Sequence, residues 1–396
     1  MHVFSSKHTI AMNVHDFDDI RPYLPEELPA AFDSLMADSE FCVLMQSFFE
    51  GIPFEALKAK LYSCKDSLEV QKVLFHQLFN QLLERCSKGV ILDVSTLSAE
   101  ARGGSHTFIS NHRDIVLDPA LLSVLLIEHG FRTTVEIAIG DNLLIHPWIK
   151  TLVRINKSFI VQRSLGMREM LVASKRMSRY MHFAIREKQE NIWIAQREGR
   201  AKDSNDRTQE SVLKMMVLGG EGSPLESLKE MNLVPLSISY EYDPCDFLKA
   251  QEFQQKRDNP KFKKTPQDDL TNMQTGIFGY KGRVVYRLGE PVNTWIDELK
   301  ELSKVEFYKE VASRIDRSIH LGYELFPANY IALDLLEERD VKSTNHYTAE
   351  DKATFLNYLS DRLALIQLPN KDEAFLRERI LTMYANPLRN HLAARG

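Results

Sequence analysis

The chain has 396 residues, 44% of them hydrophobic and 27% charged, with a net charge of −5. That is the composition of a globular protein and excludes a disordered or fibrous one; the length allows two or three structural units, or one large domain with attachments. The acidic balance argues against non-specific nucleic-acid binding, which needs a broad basic footprint, yet leaves room for a local cluster that holds one phosphate.

Met1-His2-Val3-Phe4-Ser5-Ser6-Lys7-His8 has no long apolar run after a basic start, so no secretory leader is expected. Residues 1–90 read as a helical N-terminal region. Asp66-Ser67-Leu68-Glu69 forms a capping-box pattern, Val70, Val73, Leu74, Leu78 and Leu82 repeat at helical spacing, and Gly89 is a suitable stop. Thr107–Ser110 is a short β-rich run. Asp118 then reads as an N-cap and Pro119 as the first helical residue of a helix through Ala120–Leu126, closed by Gly130. The longest apolar stretch lies near Ala120–Ile127, far short of the ~20 residues that a membrane span requires.

Strand-like runs recur at Val135–Ile139, Ser158–Val161, Ile192–Ala195, Val234–Ser239 and Arg283–Arg287, with helical segments such as Arg168–Lys188 between them. Strands alternating with helices predict an α/β fold: a mixed, largely parallel sheet flanked by helices. Residues 251–275 read as a polar surface loop or insertion. From about 295 the chain is helical again through Val305–Leu321, with a polar helical tail to 396. Cys42, Cys64, Cys86 and Cys245 form no Cys-x-x-Cys pair, so neither a zinc site nor a disulfide framework is expected. Reduced thiols in a cytoplasmic protein are the plain expectation.

Functional residues of such a sheet lie past the carboxyl ends of its strands. Four segments there carry chemistry. In Ser110-Asn111-His112-Arg113-Asp114, a His between a strand and a helix start can pair with Asp118 or Asp114 and act as a general base on an alcohol. An isolated His–Asp pair on a surface is the plainer alternative. Phe159-Ile160-Val161-Gln162-Arg163 ends an apolar strand in an Arg able to fork onto phosphate. Gln196-Arg197-Glu198-Gly199-Arg200-Ala201-Lys202 places three cations around a Gly that lets a ligand approach the backbone; a solvated charge run would look the same. Val234-Pro235-Leu236-Ser237-Ile238 is by itself compatible with a purely structural strand.

In this order, the four segments resemble the glycerol-phosphate acyltransferase superfamily, the PlsC-like phospholipid acyltransferases. Asn111-His112 to Asp118 fills the family's NH-x4-D motif, Arg163 its strand-ending Arg, Glu198-Gly199-Arg200 its Glu-Gly-x-Arg-like turn, and the Pro235 strand its fourth motif; Leu288-Gly289-Glu290-Pro291-Val292 resembles a downstream strand end. The match spans roughly residues 105–295. Two departures stand out: five residues separate His112 from Asp118 where the family has four, and Arg197 holds the position expected for the motif's Glu.

The resemblance implies a catalytic domain over 91–298 between helical regions 1–90 and 299–396. It implies His112 as base with Asp118 or Asp114 as its carboxylate, and Asn111, Arg163, Arg197, Gly199, Arg200, Lys202 and Pro235 at the substrate. Backbone N–H groups near the helix start would meet the oxyanion. The implied donor is acyl-CoA or acyl carrier protein, with no cofactor and no metal. The implied acceptor is glycerol-3-phosphate or 1-acylglycerol-3-phosphate (lysophosphatidate) in phospholipid biosynthesis, or another lyso-lipid such as a lyso-aminolipid, met at the cytoplasmic membrane surface. A non-catalytic lipid- or phosphate-binding module is the rival outside enzymes. His112-Arg113-Asp114 also matches a protein-kinase tripeptide, but Pro119 stands where that loop needs Asn, and no Gly-rich nucleotide loop precedes it.

Overall fold

The computed structural model describes residues 12–48, 52–163, 165–338 and 345–396; the N-terminal octapeptide read for a leader lies outside them. The chain runs through α1 (Leu28–Met36), α2 (Ser39–Phe48), α3 (Phe54–Ser63), α4 (Ser67–Val70) and α5 (His76–Cys86), with a wider turn over Gln71–Phe75 joining the last two. Asp66 caps α4 by accepting from the Glu69 N–H at 2.8 Å, while the Glu69 carboxylate bonds the Lys65 N–H instead of closing the box. α5 ends at Cys86, and Gly89 at φ +112° turns the chain into β1 (Val90–Asp93). Leu28, Phe32, Leu61 and Leu74 form a core of their own, shared with Ile155 of α7 (Pro147–Ile155).

Seven strands make one sheet in the order β1-β7-β6-β2-β5-β3-β4, with β2 (Thr107–Ser110), β3 (Val135–Gly140), β4 (Ser158–Val161), β5 (Asn191–Ala195), β6 (Leu233–Tyr240) and β7 (Val284–Leu288). The five strands from β6 to β4 are mutually parallel; β7 runs antiparallel to β6, and β1 is parallel to β7. The sheet is thus mixed and largely parallel, as the alternating pattern predicts. β1 escaped prediction because its four residues offer little pattern and it lies at the sheet edge with Ile91 exposed.

Side chains of successive strand residues point to opposite faces. Phe108 and Trp193 pack with Leu121 and Leu125 of α6 (Leu117–Glu128), whereas Ile109, Ile192 and Ile194 pack with Tyr180 and Met181 of α8 (Met167–Arg186) and with Val311 and Ile315 of α13 (Lys304–Leu321). α9 (Glu210–Met216) and α10 (Pro224–Glu230) add Leu213 and Leu228 to the second face.

Residues 251–275 are not a loop. Most of them belong to α11 (Asp246–Asp258) and α12 (Pro266–Phe278). Gln, Lys and Arg are good helix formers, and Thr265 with Asp268 makes a capping box for α12. The segment is polar because α11 buries Lys249, Glu252 and Gln254 as hydrogen-bonding partners. The tail, α14 (Pro327–Leu336), α15 (Ala349–Ala364) and α16 (Glu373–Arg395), is helical as expected but not merely polar, since Ile331, Leu359, Leu376, Ile380 and Leu388 form a buried cluster. No helix among the described residues is long and apolar enough to cross a membrane. The four cysteines are unbonded thiols.

Candidate active site

β2 delivers the chain to the centre of the sheet's carboxyl edge. Asn111 follows at once, and its amide is committed to β6: Nδ2 donates to Ile238 O and Oδ1 accepts from Ile238 N–H, both at 2.8 Å. Expected at the substrate, Asn111 instead takes the place of a backbone rung and fixes where the next residue starts. His112 then stacks edge-on against Trp193 of β5, with ring centroids 5.3 Å apart.

The extra residue of the motif has a visible consequence. Asp118, expected as N-cap, lies in the first turn of α6, which begins at Leu117. Its fully buried carboxylate turns back on the loop: Oδ2 accepts from His112 Nδ1 at 2.8 Å, Arg113 N–H at 2.6 Å and Asp114 N–H at 3.0 Å, and Oδ1 accepts from the Tyr240 hydroxyl at 3.2 Å. Capping passes to Asp114, whose Oδ1 accepts from Val116 and Leu117 N–H at 2.9 and 2.8 Å. The His partner is therefore Asp118. Burial, and then the Asp118 charge, raise the Asp114 carboxyl above its usual range.

A carboxylate at Nδ1 sets the imidazole tautomer: Nδ1 carries the hydrogen and Nε2 carries the lone pair. No hydrogen bond occupies Nε2 among the described residues, and the side chain is 13% exposed. The N–H groups of residues 113, 114, 116 and 117 are all taken by Asp118 and Asp114, so the helix start does not offer them to an oxyanion.

Arg113 is turned inward. Its guanidinium bonds Ser204 Oγ at 2.6 Å, Asp243 at 3.2 Å and Asp206 at 3.3 Å, and Lys249 pairs with Asp243 and reaches Arg113 O. Despite complete burial, the cations Lys249 and Arg113 hold the Asp243 carboxyl well below its ordinary value. This network ties the His112 loop to the segment after β5 and to α11. A cavity of about 40 Å³ lies against it, lined in part by Arg113, Ser204, Asp243 and Tyr323. Neither Tyr240 nor the Arg113 partners were singled out from sequence; Tyr240 ends β6, but nothing in the pattern aims it at Asp118.

The cations divide into two groups. Arg163, at the end of β4, is 40% exposed and lies 4.0 Å from Glu198, its backbone N–H held by Asp141. Arg197 is half-buried, and its charge, with that of Arg113, opposes the rise that burial imposes on the Asp206 carboxyl. Gly199 has φ +68° with open space where a Cβ would lie. Arg200 touches Asn272 of α12 at 3.3 Å through one guanidinium nitrogen, while its buried Nη1 has no hydrogen-bond partner. Lys202 is engaged elsewhere: it pairs with Glu252 of α11, and burial pushes its ammonium down to about 8 against the pull of that Glu. Lys202 thus braces the turn rather than standing free for phosphate. Pro235 is buried in mid-strand, pairs in register with Ile109, and accepts from Gly289 N–H at 2.7 Å; it is not at the site. Among the described residues, no group of three or more His, Cys, Asp and Glu is placed to hold a metal.

Residues 92–221 match the family described as Acyltransferase. No curated protein matches the chain. A crystal structure described as the 1-acyl-sn-glycerophosphate (LPA) acyltransferase, PlsC, from Thermotoga maritima is similar over 74% of this chain and 94% of its own, at 14% identity and a TM-score of 0.37, a likeness too slight to carry an argument. The matched segment holds the His112–Asp118 loop, Arg163 and the Arg197–Lys202 turn.

Proposed function

We propose that the protein is an O-acyltransferase that moves a fatty acyl group from acyl-CoA or acyl carrier protein to the hydroxyl of 1-acylglycerol-3-phosphate or glycerol-3-phosphate. One observation carries the reading: His112 is oriented through Nδ1 by a buried carboxylate, its Nε2 is unengaged among the described residues, Arg197 and Arg200 lie past the end of the neighbouring β5, and Arg163, past β4, reaches the same turn at Glu198. The acceptor phosphate binds the arginines, and its binding energy places the hydroxyl at Nε2. Nε2 takes the hydroxyl proton as the oxygen attacks the thioester carbonyl carbon. Asp118 stabilises the imidazolium formed. The C–S bond then breaks as the ester forms, and the imidazolium returns its proton to the leaving thiolate. No covalent acyl-enzyme and no cofactor take part.

The test is transfer of labelled acyl groups from both donors to glycerol-3-phosphate and to lysophosphatidate. His112→Ala is expected to lose activity by about 10²–10⁴-fold, the usual contribution of a positioned base. Unchanged turnover in that variant would sink the mechanism. Transfer to a lyso-aminolipid but to neither phosphate acceptor would remove the arginine assignment and keep the chemistry.

A further inference from the structure

The exposed face of the first half of α8 is used by nothing described above. Arg168, Leu171, Val172 and Lys175 are spaced i, i+3, i+4, i+7, so they share one face. The opposite face carries Met177, Tyr180, Met181 and Ala184 into the core. Leu171 and Val172 are 63% and 69% exposed. Among the described residues, Arg168 and Lys175 make no hydrogen bond or ion pair.

α8 leaves the sheet at the carboxyl end of β4, the edge on which His112 sits, and Arg163 lies two residues past that strand. The loop bonded to the Arg163 backbone, which starts at Asp141, also exposes Ile145. Apolar side chains bracketed by cations suit the boundary between acyl chains and anionic headgroups: the apolar groups enter the chains, and the long cationic stems carry their charges to the phosphates. With a net charge of −5, the chain has no overall attraction to such a surface, so the attraction must be local.

We propose that this face of α8 is a docking surface for an anionic phospholipid bilayer, seating the rim of the His112 site against the membrane. Its value to catalysis rests on the lipid-acceptor reading above; the docking itself does not.

The full chain is mixed with phosphatidylglycerol/phosphatidylcholine vesicles and with pure phosphatidylcholine vesicles, and bound protein is measured by co-sedimentation. The wild type is expected to prefer the anionic vesicles, and added salt to weaken the binding. Leu171→Ser/Val172→Ser is expected to bind about ten-fold more weakly and Arg168→Gln/Lys175→Gln to lose the headgroup preference, while both retain wild-type transfer to a monomeric, short-chain acceptor. Brominated acyl chains should quench the added fluorescence of Val172→Trp. Absence of wild-type binding, undiminished binding in the serine variant, or self-association through Val172→Trp without quenching would each overturn the docking surface. Vesicle binding without transfer to any acceptor would instead overturn the acyltransferase reading and leave the surface standing.

Discussion

At the scale of single residues, Asp118 does two separable things. It orients His112, and it satisfies two buried backbone N–H groups that no other acceptor among the described residues reaches. Asp118→Asn retains an oxygen able to accept from all three donors but removes the charge opposite a forming imidazolium. It is expected to fold with wild-type Tm and to lose about 10²–10⁴-fold in kcat/KM. Asp118→Ala strips the acceptor as well, and leaving buried N–H groups unpaired costs about 1–3 kcal/mol each. Thermal unfolding with acyl-transfer kinetics separates the roles. Equal losses of stability in the two variants would mean that Asp118 acts only as scaffold, and wild-type turnover in Asp118→Asn would remove its charge from the mechanism.

At the scale of elements, α12 closes on the His112 loop at a glycine. A Cβ at Gly276 would overlap the Asp114 carboxylate, which caps α6. Ala is the better helix former by about 1 kcal/mol, so propensity alone would make Gly276→Ala stabilising. Overpacking against buried groups costs about 1–3 kcal/mol, and here the backbone beneath cannot yield without moving the His112 loop. The variant is expected to unfold at lower urea and to lose kcat more than it changes KM; a gain in stability would contradict the packing. This contact also marks where sequence reading stops. β2 to β6 were legible because each carries a short run rich in β-branched and aromatic residues, set off by helical segments. The His112–Asp118 pairing was legible as one of two carboxylates, and Asp118 won only because the longer loop lets it fold back while Asp114 caps. α11 and α12 were not legible, since α11 buries Asp246, Lys249 and Glu252, whose partners Arg362, Arg113 and Lys202 are distant in sequence, and α12 buries only Asn272 and Gly276. Lys202 looked like a ligand cation for the same reason: the sequence holds no sign of the Glu that claims it.

At the scale of the whole molecule, the C-terminal helices fasten the segment that follows the cationic turn. His320 of α13 is buried, its Nε2–H donates to Asp206 O at 3.0 Å, and Arg207 reaches its Nδ1 at 3.4 Å and Asn390 of α16 at 2.9 Å. Asp316 holds Thr208, and His391 bonds the backbone of His320. Burial, with the Arg207 and His391 charges adding to it, pushes the His320 imidazole from 6.5 down to about 4. The folded value is below the unfolded one, so the unfolded chain holds this proton more tightly. The stabilisation is therefore complete above pH 6.5 and drains away as the pH falls towards 4, to a total of about 3 kcal/mol. His320→Gln retains an N–H for Asp206 O and cannot titrate. It should be less stable than the wild type at pH 7.5, yet lose less between pH 6.5 and 4. Urea unfolding across that range measures both slopes. Because Asp206 also pairs with Arg113 beneath the His112 loop, acyl transfer should fall along the same acid limb, and equal slopes in the two proteins would show that the acid sensitivity resides elsewhere.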